Sequence, residues 1–161
     1  MFTIGDSIFI KAPIERCFLL STNVELVGRT YGMKPIEGKT KGMVEADDKL
    51  LWAGWKFGMP QMHESLITEY EKPNFFQDTM TRGRFKRYQH DHYFYEMDDR
   101  TVLNDKIRFS LPLGPLGRVV AQFIVVPYLA RRLRRRLVLL RRVAENNDEW
   151  QKYLPSENRT Q

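Results

Sequence analysis

The chain is poor in cysteine: its 161 residues hold one, Cys17, which excludes an internal disulfide and suits a reducing compartment. It lacks a segment able to cross a bilayer. The longest nearly all-round apolar run, residues 119–129, falls well short of the roughly 20 residues a spanning helix needs. It also lacks a glycine-rich phosphate loop and a nucleophile motif, so phosphoryl transfer and covalent catalysis have no carrier. No linker, low-complexity tract or internal repeat interrupts it. The expectation is one domain over residues 1–152 and a flexible tail over 153–161. Residues 1–13 alternate like a strand instead of starting basic and continuing apolar, so no secretory signal is expected, and the location expected is cytoplasmic.

A domain of this length can hide roughly 70% of the surface of its unfolded chain, enough to fold without a disulfide or metal. The hydrophobic fraction of 42% and charged fraction of 29% are those of an ordinary globular protein. The net charge of +6 invites nucleic acid or an anionic membrane as a partner. Its distribution narrows that reading, because much of the excess sits in Arg131, Arg132, Arg134, Arg135, Arg136, Arg141 and Arg142, whereas charges before residue 118 nearly balance.

Phe2, Ile4, Ile8 and Ile10 share one parity and predict a half-buried strand. Pro13 suits the first turn of a short helix, and Thr22 or Asn23 can cap a second one that Gly32 closes. From residue 33 to 112 the period becomes that of strands, near 33–41, 50–58, 61–72, 75–82, 84–97 and 101–112. They are separated by turn chemistry such as Gly58-Met59-Pro60 and Asp98-Asp99. Connections this short require antiparallel neighbours. A helical pattern then runs over 117–147 through Val120, Phe123, Pro127, Ala130, Leu133, Leu137, Leu140 and Ala144. Its length of roughly 45 Å can cover a whole sheet, and Pro127 predicts a kink. The fold class is α+β: a curved seven-stranded antiparallel sheet around a long C-terminal helix, with a pocket in the gap between them.

Ile8-Phe9-Ile10-Lys11-Ala12-Pro13-Ile14-Glu15 is similar to the first strand and helix turn of many bacterial START-like proteins. The series Gly83, Phe85, Tyr88, His90, His92 and Phe94, followed by Thr101, Asp105 and Leu111-Pro112-Leu113-Gly114, extends the likeness over nearly the whole chain. The chain thus resembles the START-related lipid-transfer superfamily, with its pollen allergens and polyketide cyclases. The resemblance implies a helix-grip fold and an internal cavity for a hydrophobic small molecule. It leaves the activity open, because this fold carries transporters, receptors and cyclases alike.

A hairpin turning at Asp98-Asp99 sets Phe94 opposite Leu103, His92 opposite Asp105, His90 opposite Ile107 and Tyr88 opposite Phe109. All eight then share the more apolar, inward face, and Asp78 can join from the next strand. Three readings compete for this cluster. One is a self-satisfied buried network, and another is ligand recognition by His90 and Tyr88 in an apolar pocket. The third is catalysis by His90, His92 and Asp105, or a facial metal triad for which spacing supplies no third ligand. Tyr88, His90, His92, Phe94, Asp105, Ile107, Phe109, Asp78 and Phe123 are the expected pocket residues, with no metal and no cofactor implied.

In the basic helix the commonest outcome of such a charge run, a solvated face, ranks first. A surface of Arg131, Arg132, Arg134, Arg135 and Arg136 for an anionic membrane or a second copy ranks next, and nucleic acid last. Non-enzymatic carriage of a lipid, isoprenoid or polyketide therefore stands ahead of a cyclase or dehydrase, and both stand ahead of a docking module.

Overall fold

The computed structural model describes residues 1–56 and 58–154. Strand β1 (Phe2–Ile10) leads into helices α1 (Ile14–Thr22) and α2 (Val24–Tyr31). Six strands follow: β2 (Met33–Gly38), β3 (Lys49–Lys56), β4 (Met59–Glu71), β5 (Phe75–Arg82), β6 (Arg87–Met97) and β7 (Arg100–Ser110). They form one antiparallel sheet in the order β1-β7-β6-β5-β4-β3-β2. From β2 to β7 each strand lies beside its sequence neighbour, as short turns dictate. Only β1 is displaced, so α1 and α2 carry the chain from one edge of the sheet to the other.

Local chemistry fixes these helices. Pro13 takes the position just before α1, with φ −58° and ψ 149°. The Asn23 side chain accepts from the Leu26 N–H at 2.9 Å and caps α2. Gly32 ends α2 in the left-handed conformation at φ 57°.

The long helix starts earlier than its periodicity suggests. Helix α3 (Gly114–Val120) opens with Pro115 in its first turn, a π turn spans Ala121–Val125, and α4 (Val126–Glu145) completes it. Pro127 explains the π turn: proline has no N–H and its ring crowds the carbonyl four residues back. The extra residue in the turn opens that space. At Gly117 a Cβ would sit 1.9 Å from the Pro112 carbonyl oxygen, so only glycine lets the chain turn from sheet to helix there.

Three apolar clusters fill the interior. Under α1 and the C-terminal half of α4, Phe18 meets Tyr70, Phe76 and Phe94 edge-on at centroid distances of 5.3, 5.7 and 5.3 Å. Leu137, Leu140, Val143 and Ala144 close over them. Trp150 and Leu154 belong to the same cluster, and Arg29 donates to the Tyr153 hydroxyl. Tyr153 and Leu154 therefore pack against the domain and are not part of a free tail; residues 155–161 lie outside the described residues. A second cluster joins Ile4, Ile107 and Phe109 to Ala121, Leu129 and Leu133. A third lies beneath α2, with Val24, Val44, Leu50, Trp52 and Ile67.

Candidate functional site

Between the second and third clusters the helix stands off the sheet and leaves a cavity of about 330 Å³, the lower end of the range for small-molecule sites. Val24, Val27, Val44, Leu50, Trp52, Ile67, Leu129 and Leu133 are among the apolar residues of its wall. Met59, Met62 and Phe85 lie toward its rim, and the two methionines are exposed. Trp52 lines the cavity, whereas Trp55, three residues on along the same strand, points to solvent.

Polar groups converge at one corner, placed there by strand pairing. Asp78 pairs with His90 across β5 and β6, and His92 with Asp105 across β6 and β7. Alternation puts all four on the inward face. The His92 Nδ1 donates to Asp105 Oδ1 at 2.8 Å, and its Nε2 lies 3.3 Å from Asp78 Oδ2. The His90 Nδ1 lies 3.2 Å from the Tyr31 hydroxyl at the end of α2, and 3.8 Å from Asp78 Oδ2. Its Nε2, 3.6 Å from Asp105 Oδ2, has no hydrogen-bond partner. Arg136 descends from α4 and donates to Asp105 Oδ2. The Phe76 ring stacks on His92 at 4.1 Å between centroids, which holds the imidazole plane.

Two full charges, Asp105 and Arg136, are thus sealed in the interior. Burial pushes the Asp105 carboxyl up, but Arg136, His92 and His90 outweigh it and hold it well below the usual carboxylate range. Asp78 shows the same balance: burial raises it, and the His92 hydrogen bond with the His90, His92 and His63 charges brings it below its ordinary value. Burial, then the His92 charge, lowers His90 and favours a neutral ring. His63, facing Tyr88 edge-on at 5.5 Å, is also lowered by burial. Burial raises the Tyr31 and Tyr88 phenols, so both stay protonated donors.

Of the residues expected around a pocket, Tyr88, His92, Ile107 and Asp78 line the cavity. His90 and Asp105 sit one layer behind its wall, fully buried. Phe94 belongs to the aromatic cluster under α1, and Phe109 to the cluster beside β1. Both face inward but where packing is solid. Phe123 is 75% exposed and points away from the cavity, because the π turn rotates it off the inward stripe. The arginines also divide. Arg131, Arg134 and Arg135 are exposed, Arg134 lying 3.6 Å from Asp6. Arg132 turns to the cavity, donates to the Tyr128 hydroxyl at 2.7 Å and lies over the Tyr31 and Tyr128 rings. Arg136 is 2% exposed, so its expected surface role is corrected: the Asp105 carboxylate draws it inward.

Sequence reasoning missed Tyr31 and His63, and it placed Arg132 and Arg136 on a membrane or partner surface instead of at the cavity. A signal existed for the last. Leu129, Leu133, Arg136, Leu140 and Val143 follow a four-three spacing, so Arg136 occupies a place on an otherwise aliphatic buried stripe.

No protein-family model matches the sequence, and no curated protein matches it. Solved structures do match in fold. TTHA0849 of Thermus thermophilus superposes with a TM-score of 0.71 at 16% identity, over 88% of this chain and 95% of that one. The di-domain ARO/CYC BexL of the BE-7585A biosynthetic pathway gives 0.72 at 15% identity, over 90% of this chain and 50% of that one. Major latex-like protein 151 of Panax ginseng gives 0.57 at 11% identity, over 96% and 98%. The chain has the helix-grip fold, and these identities establish the fold alone. None of the described helices is long and apolar enough to cross a membrane.

Proposed function

We propose that the protein binds a hydrophobic small molecule (a lipid, isoprenoid or polyketide) in this cavity without transforming it, and does so in the cytoplasm. One observation carries the reading: a cavity of about 330 Å³ whose wall is largely apolar, with Asp78, His92 and Arg136 meeting at one corner of it. Water fills such a wall poorly, since ordered water needs two to four polar partners. An apolar body with one oxygen-bearing end satisfies both parts, its oxygen accepting from Arg132 or the Tyr88 hydroxyl. Native mass spectrometry of protein purified from its own host tests this, with a co-purifying small molecule as the expected result. No such mass, together with no binding across panels of lipids, isoprenoids and aromatic polyketides, would refute it.

A cyclase-like reaction is the second reading, favoured by the placement of His92 at the cavity wall between Asp78 and Asp105 and by the fold likeness to BexL. A proton-transferring His92 predicts that His92→Gln abolishes turnover of an aromatic polyketide mimic while binding persists. Equal loss of binding and turnover would assign His92 to recognition instead.

Exposed Leu116, Val119, Phe123 and Ile124 adjoin the cavity rim at Val125 and Tyr128, and the exposed arginines of α4 follow. This supports loading at an anionic membrane surface. Co-sedimentation with phosphatidylserine vesicles that salt weakens is the expected behaviour. Indifference to anionic lipid, or masking of these residues in a homodimer, argues against it.

A further inference from the structure

The geometry points to a divalent-metal site at the polar corner, with Asp78, His90 and His92 as its three protein ligands. This goes beyond carriage of an apolar molecule and does not depend on it.

One ligating atom from each of the three residues lies within 4.8 Å of the other two. Two donors bound to one zinc ion at about 2.0–2.1 Å and a tetrahedral angle lie about 3.3 Å apart. His92 Nε2 and Asp78 Oδ2 are 3.3 Å apart. His90 Nδ1, at 3.8 Å from the same oxygen, needs to approach it by about half an ångström and to exchange the Tyr31 hydroxyl, 3.2 Å away, for the metal.

The outer partners fit the same arrangement. A ligating histidine gives its other ring N–H to a carboxylate or carbonyl, which fixes the tautomer and aims the free nitrogen. Here the remote nitrogens of both histidines face a single carboxylate: His92 Nδ1 donates to Asp105 Oδ1, and His90 Nε2 is directed at Asp105 Oδ2. Asp105 is in turn fixed by Arg136. His90 Nε2 is fully buried yet has no hydrogen-bond partner, since Asp105 lies a few tenths of an ångström beyond reach. Buried nitrogens are rarely left so.

Two imidazoles and one carboxylate suit a borderline first-row cation such as zinc, cobalt or ferrous iron. Magnesium and calcium prefer all-oxygen cages. Asp78 and His92 line the cavity, so the remaining coordination position opens into it. An oxygen of a cavity occupant would complete the shell, and that detail alone rests on the ligand reading.

The test uses the full chain stripped with chelator and dialysed against zinc or cobalt chloride alone, with no organic ligand. One equivalent per chain is expected, with the visible absorption of cobalt in a low-symmetry nitrogen–oxygen site. Asp78→Ala is the principal variant, because its side chain keeps 20% of its surface accessible and is the least embedded of the three. It should lose at least a hundredfold in affinity, more than the about 10–100-fold seen for outer partners. Asp99→Ala, which removes a carboxylate 79% exposed at the β6–β7 turn, should bind as wild type does. Circular dichroism establishes that each variant is folded. Binding no tighter than that of Asp78→Ala, or one equivalent that Asp78→Ala retains, overturns the site. Failure of the lipid, isoprenoid and polyketide panels leaves it standing, so the two readings fail separately.

Discussion

The two halves of α4 follow the same leucine spacing and meet opposite surroundings. The C-terminal half, from Leu137 to Ala144, closes on a solid core in which Phe18, Tyr70, Phe76 and Phe94 interlock. The N-terminal half, around Leu129 and Leu133, overlooks a hollow walled by Val24, Val27, Val44, Leu50 and Ile67. The difference lies in reach. The rings of Phe18, Tyr70, Phe76 and Phe94, from α1, β4, β5 and β6, meet one another across the gap between the layers, whereas Trp52, Phe85 and Tyr88 stand at the cavity wall and leave the space between them open. Arg136 and Asp105 stand at the border between the two regions. A helix pattern therefore says which side faces the sheet, and the opposing side chains decide whether that side is filled.

Breaking the border should have the largest effect. Arg136→Ala leaves the buried Asp105 carboxylate without its arginine partner and should cost about 3–5 kcal/mol in urea unfolding. Arg135→Ala, one residue away and exposed, should stay within about 0.5 kcal/mol. Equal costs would show that the pair is not sealed. In the solid half, Phe18→Ala should cost about 3–5 kcal/mol, near the top of that range, because its ring touches three others.

In the hollow half, Val27→Phe places a ring in empty space. Stability should change by less than about 1.5 kcal/mol while binding of any cavity ligand is lost. A large destabilisation would mean the wall cannot accept volume and the cavity is smaller than its outline.

The smallest effect concerns Cys17 in the solid half. Burial pushes its thiol up to about 12. A folded-state pKa raised in this way gives a contribution that is full below pH 9 and fades as pH climbs toward 12. Iodoacetamide at pH 8 should leave the folded chain unmodified and label it readily in urea. Cys17→Ala should flatten the alkaline decline in stability.

Much of the fold was legible because strands joined by short turns have few alternatives. Asp98-Asp99 set the β6–β7 register, and alternation alone placed His92 opposite Asp105. Other features depended on contacts that spacing does not encode. Phe94 and Phe109 were assigned to the correct face, but which part of that face is hollow depends on rings arriving from other elements. Arg136 was read by residue type as solvated, although its place on the stripe matched that of Leu133 and Leu140. Phe123 was placed inward by an uninterrupted α-helical count, which the π turn at Ala121–Val125 breaks.

That turn also acts as a phase adjuster. One residue of α-helix corresponds to about 100° of rotation, so a single extra residue sets the azimuth of everything before it independently of everything after. The buried positions Gly117 and Ala121, the half-buried Val125 and the buried Leu129 lie four apart straight through the joint. Sequence drift or redesign can therefore turn α3 about its own axis, changing which side chains crown the rim, while the contacts that anchor α4 to the sheet keep their register.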